Sequence, residues 1–142
     1  MRDVETMEMV LNAAETGHLV FTTLHTYSGA QTIERVVNVF PPGKQEQARY
    51  ILASTLLLVI CQKLLPSTDG RRVLAYEIMI NTHQMSVLIR ENKLTQIQNQ
   101  MYMQMDEGQI PLNEVLKRLY HEGKITRETA LAASYDPDGL VL

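Results

Sequence analysis

Within its first forty residues the chain changes hydrophobic period twice. Val4, Met7, Leu11 and Ala14 fall on one helical face, and Gly17 is a natural stop signal for that helix. The next apolar run, Leu19-Val20-Phe21-Thr22-Thr23-Leu24, has no helical period and is rich in β-formers, so it predicts a buried six-residue strand. Ser28 and Gln31 then make a capping-box pattern. Ile33, Val36, Val37 and Phe40 return to the i, i+3, i+4, i+7 spacing of a helix that buries one face. Helix, strand, helix in this order predicts an α/β fold.

Pro41-Pro42-Gly43 ends that second helix. A long helix is expected from about residue 44 to residue 60, buried on several sides because its second half is apolar nearly all round. Residues 62–65 and 73–80 flank the turn-forming Ser67-Thr68-Asp69-Gly70 and read as two strands, arranged as a hairpin. Past Asn81 the pattern is helical. Met85, Leu88 and Ile89 predict one short helix, and Leu94, Ile97 and Met101 another. Leu112, Val115, Leu116, Leu119 and Tyr120 predict a third, closed by Gly123, and Thr126 caps a last one to about Ser134. The shift places a boundary after residue 80: an α/β part over residues 1–80 and an all-α module over 81–142.

Composition bounds the class. At 142 residues and 16.2 kDa the chain can build one sizeable core but not comfortably two. Hydrophobic residues at 45% against charged residues at 20% describe a globular rather than a disordered chain. Thirteen Lys and Arg against 16 Asp and Glu argue against a general nucleic-acid binder. The single cysteine, Cys61, excludes an internal disulfide and a multi-cysteine metal site, and fits a reducing compartment. The N-terminus lacks the apolar core of a signal peptide. The longest nearly apolar stretch, residues 51–61, is interrupted by Ser54 and Thr55 and falls short of the roughly 20 residues of a spanning helix. A soluble, cytosolic protein with no direct membrane insertion is expected.

Few residues carry chemistry on their own. His18 and His25 bracket the expected strand, and seven residues of extended chain, roughly 23 Å, with side chains on opposite faces make a poor metal site. Their plainer reading is a histidine at each strand end, satisfied by backbone or solvent. Cys61, at the end of the most apolar helix, reads as a small hydrophobe rather than a nucleophile. Arg2, Asp3 and Glu5 form a charged cluster whose acidic members suit a helix N-terminus. Arg71-Arg72 reads as a solvated pair, and Met101, Met103 and Met105 as core or interface filler. A phosphate-binding loop would read G-x-x-x-x-G-K-[ST]. Gly-Lys occurs at Gly43-Lys44 and Gly123-Lys124, but neither is followed by Ser or Thr, so the chain has no such loop.

The order of segments nevertheless resembles a known family. Met1-Arg2-Asp3-Val4-Glu5-Thr6, then Ala13-Ala14-Glu15-Thr16-Gly17-His18-Leu19-Val20-Phe21, then Thr23-Leu24-His25-Thr26 are similar to the secretion ATPases. Within them the chain looks most like the PilT-like retraction ATPases of type IV pili and twitching motility. The match continues through Thr32-Ile33-Glu34-Arg35-Val36-Val37-Asn38-Val39-Phe40-Pro41 and Glu77-Ile78-Met79-Ile80. It reaches Leu88-Ile89-Arg90-Glu91, part of a C-terminal signature of the retraction enzymes, and weakens after about Asn92.

This resemblance implies the C-terminal part of a RecA-like P-loop ATPase core followed by a small all-α module. It implies a cytoplasmic homohexamer, peripheral at the inner-membrane base of the pilus machine, that couples hydrolysis of ATP with Mg to pilus retraction. Its partner would be the pilus platform protein, with no nucleic acid and no resident metal. His18 and His25 match the family's histidine box and, with Arg2, take the catalytic roles; Asp3, Glu5 and Thr26 are placed near the nucleotide or the subunit interface. In the family the Met-Arg-Asp run follows the Gly-Glu pair that ends the Walker B strand. The phosphate loop, Asp box, Walker B strand and N-terminal domain are therefore expected upstream of Met1, and this chain alone is expected to bind ATP weakly or not at all.

The chain departs from the family at Thr22, where glycine is usual, at Gly108-Gln109-Ile110-Pro111-Leu112, and at His83-Gln84-Met85-Ser86-Val87. These departures bear on coupling to the pilus machinery. Pilus-assembly and type II secretion ATPases carry a four-cysteine zinc module after this core, and a structural zinc site needs four ligands. One cysteine and a short turn at Ser67-Thr68-Asp69-Gly70 favour the retraction branch, with an accessory PilU-like paralogue close by. A non-catalytic docking or oligomerisation module is the alternative from another functional class.

Overall fold

The structure, a computed structural model, describes residues 4–142. Helix α1 spans Val4–Glu15, α2 Gly29–Asn38 and α3 Pro42–Thr55; strands β1 (Leu58–Pro66) and β2 (Arg72–Ile80) follow. Then come α4 (His83–Arg90), α5 (Ile97–Met103), α6 (Leu112–His121) and α7 (Arg127–Ala133), with short 3-10 turns at Leu94–Gln96 and Met105–Glu107.

The helix boundaries follow local chemistry. Ser28 Oγ accepts from the Gln31 amide at 3.2 Å, and Gln31 Oε1 accepts from the Tyr27 amide at 2.8 Å, so the capping pair fixes the entry to α2. Thr82 and Thr126 cap α4 and α7 in the same way. Pro42, expected only as a helix breaker, also opens α3 as its first residue, where its missing N–H has no helical partner to lose.

The long helix expected over residues 44–60 is not one helix. α3 stops at Thr55, whose hydroxyl donates to Ile51 O at 2.8 Å, and Leu56 turns to extended backbone. From Leu58 the same apolar run pairs with β2, in the register Leu58↔Ile80 through Cys61↔Glu77 to Pro66↔Arg72. Branched Val59 and Ile60 suit a pleated surface, and the antiparallel ladder supplies their backbone partners. α3 buries only Ala48, Leu52 and Ala53. The hairpin stands, with β1 beginning earlier than expected.

The strand expected over residues 19–24 is absent. The segment has no regular secondary structure, and Leu19 and Phe21 are 69% and 88% exposed. A strand needs a neighbour for its backbone N–H and C=O groups. Among the described residues the sheet holds only β1 and β2, and neither pairs with this segment.

Two apolar clusters flank the hairpin. One joins α1 to α5 through Met7, Ile33, Val36, Leu52, Ile89 and Met101, with Met79 of β2. The other joins α6 and α7 through Leu112, Leu116, Ile125 and Ala130 to Leu65 and Ala75. Both therefore draw on β2. Its outer edge is closed by backbone bonds of 2.9 Å in each direction between Ile78 and Ile110, and by the Gln109 side-chain amide, which bonds both backbone groups of Ile80.

Candidate functional site

The end of α1 places His18. Gly17 takes a left-handed backbone, φ +93°; its amide donates to Ala14 O at 3.1 Å, and the His18 amide donates to Ala13 O at 3.0 Å. This pair of bonds is the Schellman closure of a helix. His18 Nδ1 then lies 3.2 Å from both Ala13 O and Thr16 Oγ1. The carbonyl can only accept, and the Thr16 proton is directed at Asn12 O and Ala13 O, 2.9 and 3.0 Å away. Nδ1 therefore carries the proton in the neutral ring, and Nε2 is left as the acceptor.

His18 opens onto a shallow cleft between the C-terminal ends of α1 and α3, walled by Ala14, Glu15, Gly17, Ser54 and Thr55. Helix C-termini carry partial negative charge, Glu15 adds a full one, and no lysine or arginine lines the cleft. The cleft is thus electronegative on the side that His18 faces.

His25 and Thr26 lie on the turn into α2. His25 is exposed. The Thr32 hydroxyl donates to Ser28 O at 2.8 Å, which commits its proton, so Thr26 Oγ1 donates to Thr32 Oγ1 at 2.7 Å. Glu5 sits exposed in the first turn of α1, as an acidic residue near a helix N-terminus should. Arg2 and Asp3 lie outside the described residues. Of the expected site residues that the structure describes, only His18 lines the cleft.

The inner face of the hairpin holds two charges to which the family resemblance gives no role: Glu77, within the matching segment Glu77-Ile78-Met79-Ile80, and Lys63. Glu77 is 1% exposed, and its Oε1 accepts from the Gly29 amide, the first of α2, at 2.8 Å. Oε2 makes no well-formed hydrogen bond, although the amide of Leu112, the first residue of α6, also favours the charged carboxylate. Burial nevertheless outweighs these amides and nearby Lys63, and pushes the Glu77 carboxyl above its ordinary range. Lys63 donates to Ala133 O at the end of α7 at 2.6 Å, with its Nζ 5.4 Å from the Tyr27 ring centre and 5.9 Å from that of Tyr135. Burial pulls its ammonium below the ordinary value, against the opposing pull of Glu77. Period-two alternation was the available signal. Ala75, Glu77 and Met79 share the inward face of β2, so an acid stood where an apolar residue was due.

Cys61 lies opposite Glu77 in β1, not at the end of a helix. It is buried, and burial first, then the Glu77 charge, pushes its thiol up to about 11. At neutral pH it is a small apolar group. Met101 is buried, whereas Met103 and Met105 are exposed, and Arg71 and Arg72 are exposed. Among the described residues no helix is long and apolar enough to cross a membrane.

Comparison with known proteins supplies the frame for this geometry. Residues 1–116 match the family model described as type II/IV secretion system protein. A twitching motility protein of Neisseria gonorrhoeae is 45% identical over 131 residues, covering 92% of this chain and 35% of that protein. The type IV pilus retractation ATPase PilT of Pseudomonas aeruginosa is 45% identical over 138 residues, covering 97% and 40%. The crystal structure of the pilus retraction motor PilT with bound ADP superposes with a TM-score of 0.87 at 50% identity, covering 99% of this chain and 39% of that one. The chain thus spans less than half the length of these relatives. Its α/β fold is that of the C-terminal part of their ATPase core. The chain belongs to the type II/IV secretion system protein family and lies close to its twitching-motility members.

Proposed function

We propose that the chain is the C-terminal part of a motor ATPase that uses ATP hydrolysis to drive type IV pilus retraction. The observation that carries this is its superposition, over nearly its whole length, on a retraction motor that holds ADP. On this reading the phosphates and Mg are held by residues other than those described here. His18, its Nε2 open as an acceptor, and His25 approach the nucleotide or a neighbouring subunit from the side, with Arg2 as a third catalytic group. Asp3, Glu5 and Thr26 stand near the nucleotide or subunit interface. Phosphoryl transfer is catalysed mainly by positioned charge and donors, which a neighbouring subunit can supply. The assembly is proposed as a cytoplasmic homohexamer docked on the inner-membrane platform protein of the pilus, with residues 1–80 in the ATPase core and 81–142 as the helical module.

A hybrid tests the reading. This chain replaces the aligned C-terminal part of the Pseudomonas retraction ATPase, and ATP turnover and twitching are measured. Turnover within tenfold of the parent, lost on His18→Ala or His25→Ala, is the expected result. A folded hybrid hexamer without turnover overturns it, and unchanged turnover in both histidine variants removes the site assignment.

A further inference from the structure

Lys63 and Glu77 sit on the buried face of a hairpin, where burial penalises the charge of each. A buried ionic group is weak support for stability, because well-packed apolar residues of similar volume often serve as well or better. What these two charges do is reach across the chain. Glu77 takes the first amide of α2, 48 residues away, and lies against the first amide of α6. Lys63 takes the last carbonyl of α7, 70 residues away, and stands between the rings of Tyr27 and Tyr135. The polarity is consistent: the acid meets helix N-termini and the base a helix C-terminus. Tyr27 directly follows His25 and Thr26, Gly29 stands two residues further on, and Thr26 is tied through Thr32 to Ser28 of the same turn.

We propose that Lys63 and Glu77 are positioning residues that fix the turn carrying His25 and Thr26 to helices α6 and α7, so that the histidine turn and the C-terminal helices shift together. The hairpin is the rigid element between them: its ladder runs over nine residue pairs and its inner face belongs to both apolar clusters. The inference about turnover rests on the motor reading above; the inference about coupling does not.

The first test is amide hydrogen exchange on the 142-residue chain, comparing wild type with Lys63→Met, Lys63→Arg and Glu77→Gln. Lys63→Met keeps the apolar stem and removes the charge. The expected result is exchange at least tenfold faster at the amides of residues 26–29 and in the residues after α7, with less than twofold change at Met79 in β2. Lys63→Arg, which retains a donor and a cation for the two rings, restores protection to within twofold. Glu77→Gln keeps an acceptor for Gly29 but presents N–H groups toward Leu112, and is expected to release the first turn of α6 by a similar factor. Should Lys63→Met not fold, Glu77→Gln decides by the same regional pattern. Uniform acceleration everywhere, or no change at these sites, overturns the proposal.

The second test is ATP turnover in the hybrid motor. Lys63→Met is expected to lower kcat at least fivefold with KM for ATP within twofold, and Lys63→Arg to recover kcat. If the unmutated hybrid lacks turnover, the motor reading has failed and the exchange experiment alone judges the coupling. An active hybrid with unchanged kcat in Lys63→Met overturns the positioning role.

Discussion

Glu77 is buried among two helix N-termini and the neighbouring strand, and burial penalises its charged form. Its carboxyl titrates above the ordinary value of 4.5 because burial outweighs the Gly29 and Leu112 amides and Lys63. The groups facing it are the two helix N-termini, Lys63 and Cys61 from β1, and more distantly Tyr102. The sign follows from proton linkage. In the folded state Glu77 holds its proton to higher pH than in the unfolded chain, so its contribution is fully present below about 4.5 and is lost as pH rises through the raised value. Glu77→Gln keeps the shape and never carries the charge. Wild type and variant are therefore expected to unfold at similar urea concentrations near pH 4, with the variant the more stable at pH 7.5. Urea titrations of both proteins at the two pH values check this; a variant less stable at pH 7.5 than at pH 4 relative to wild type would contradict the direction. The same substitution is expected to loosen the first turn of α6, and that separation of global from local effect is the outcome a positioning role for Glu77 predicts.

At the scale of elements, most of the helical content was legible because one residue type per boundary decided it. Ser28 and Thr126 cap where their side chains can accept an amide, and Gly17 ends α1 with the left-handed backbone glycine tolerates; the Thr82 cap of α4 is supplied by the structure, since the spacing of Met85, Leu88 and Ile89 marks that helix but not its start. The hairpin turn was legible from Ser67, Asp69 and Gly70, and Asp69 indeed takes the Arg71 amide at 3.0 Å. The switch from α3 to β1 was not legible, since residues 51–61 are apolar but for Ser54 and Thr55 and carry no clear period, so the choice falls to pairing with β2. Nor was residues 19–24 as coil, because strand propensity says nothing about whether a partner strand is present. The histidines at the candidate site came from family motifs, while Lys63 and Glu77 required the strand register. One contact between elements no sequence pattern shows. A Cβ on Gly29 would meet Met79 Sδ at 2.7 Å and Met79 Cβ at 3.0 Å, so α2 approaches the hairpin only because Gly29 has none. Met79 is fully buried and has little room to move. Gly29→Ala is expected to cost about 1–3 kcal/mol of stability through this overpacking, read as a lower urea midpoint and faster exchange along α2. An unchanged midpoint would mean that Met79 can rearrange freely.

At the scale of the whole molecule, the hairpin presents two unlike faces. The inward positions carry Cys61, Leu65, Ala75, Glu77 and Met79, all buried. The outward positions of β1 carry Leu58, Ile60 and Leu64, and Leu64 pairs across the ladder with Leu74; Ile60 and Leu64 are 54% and 62% exposed. Among the described residues β1 has β2 on one edge and no strand on the other. An apolar outer face beside an open strand edge is the arrangement that drives sheets to pair with other chains. Leu19 and Phe21, exposed on a segment with strand-forming composition, add to that tendency. The 142-residue chain by itself is therefore expected to self-associate with rising concentration, and the cause is testable on the outer face alone. The double substitution Ile60→Lys with Leu64→Lys puts charge on outward positions without touching the buried face. Sedimentation velocity over a tenfold concentration range should show association in the wild type and a concentration-independent monomer in the double variant, with the same circular dichroism for both. Association that persists unchanged would move the contact to residues 19–24 and to the open edge itself, where backbone rather than side chains makes the bond. The open edge of β1 is also where a further strand would pair, so the expected association and the proposed longer motor lead to the same edge of the hairpin.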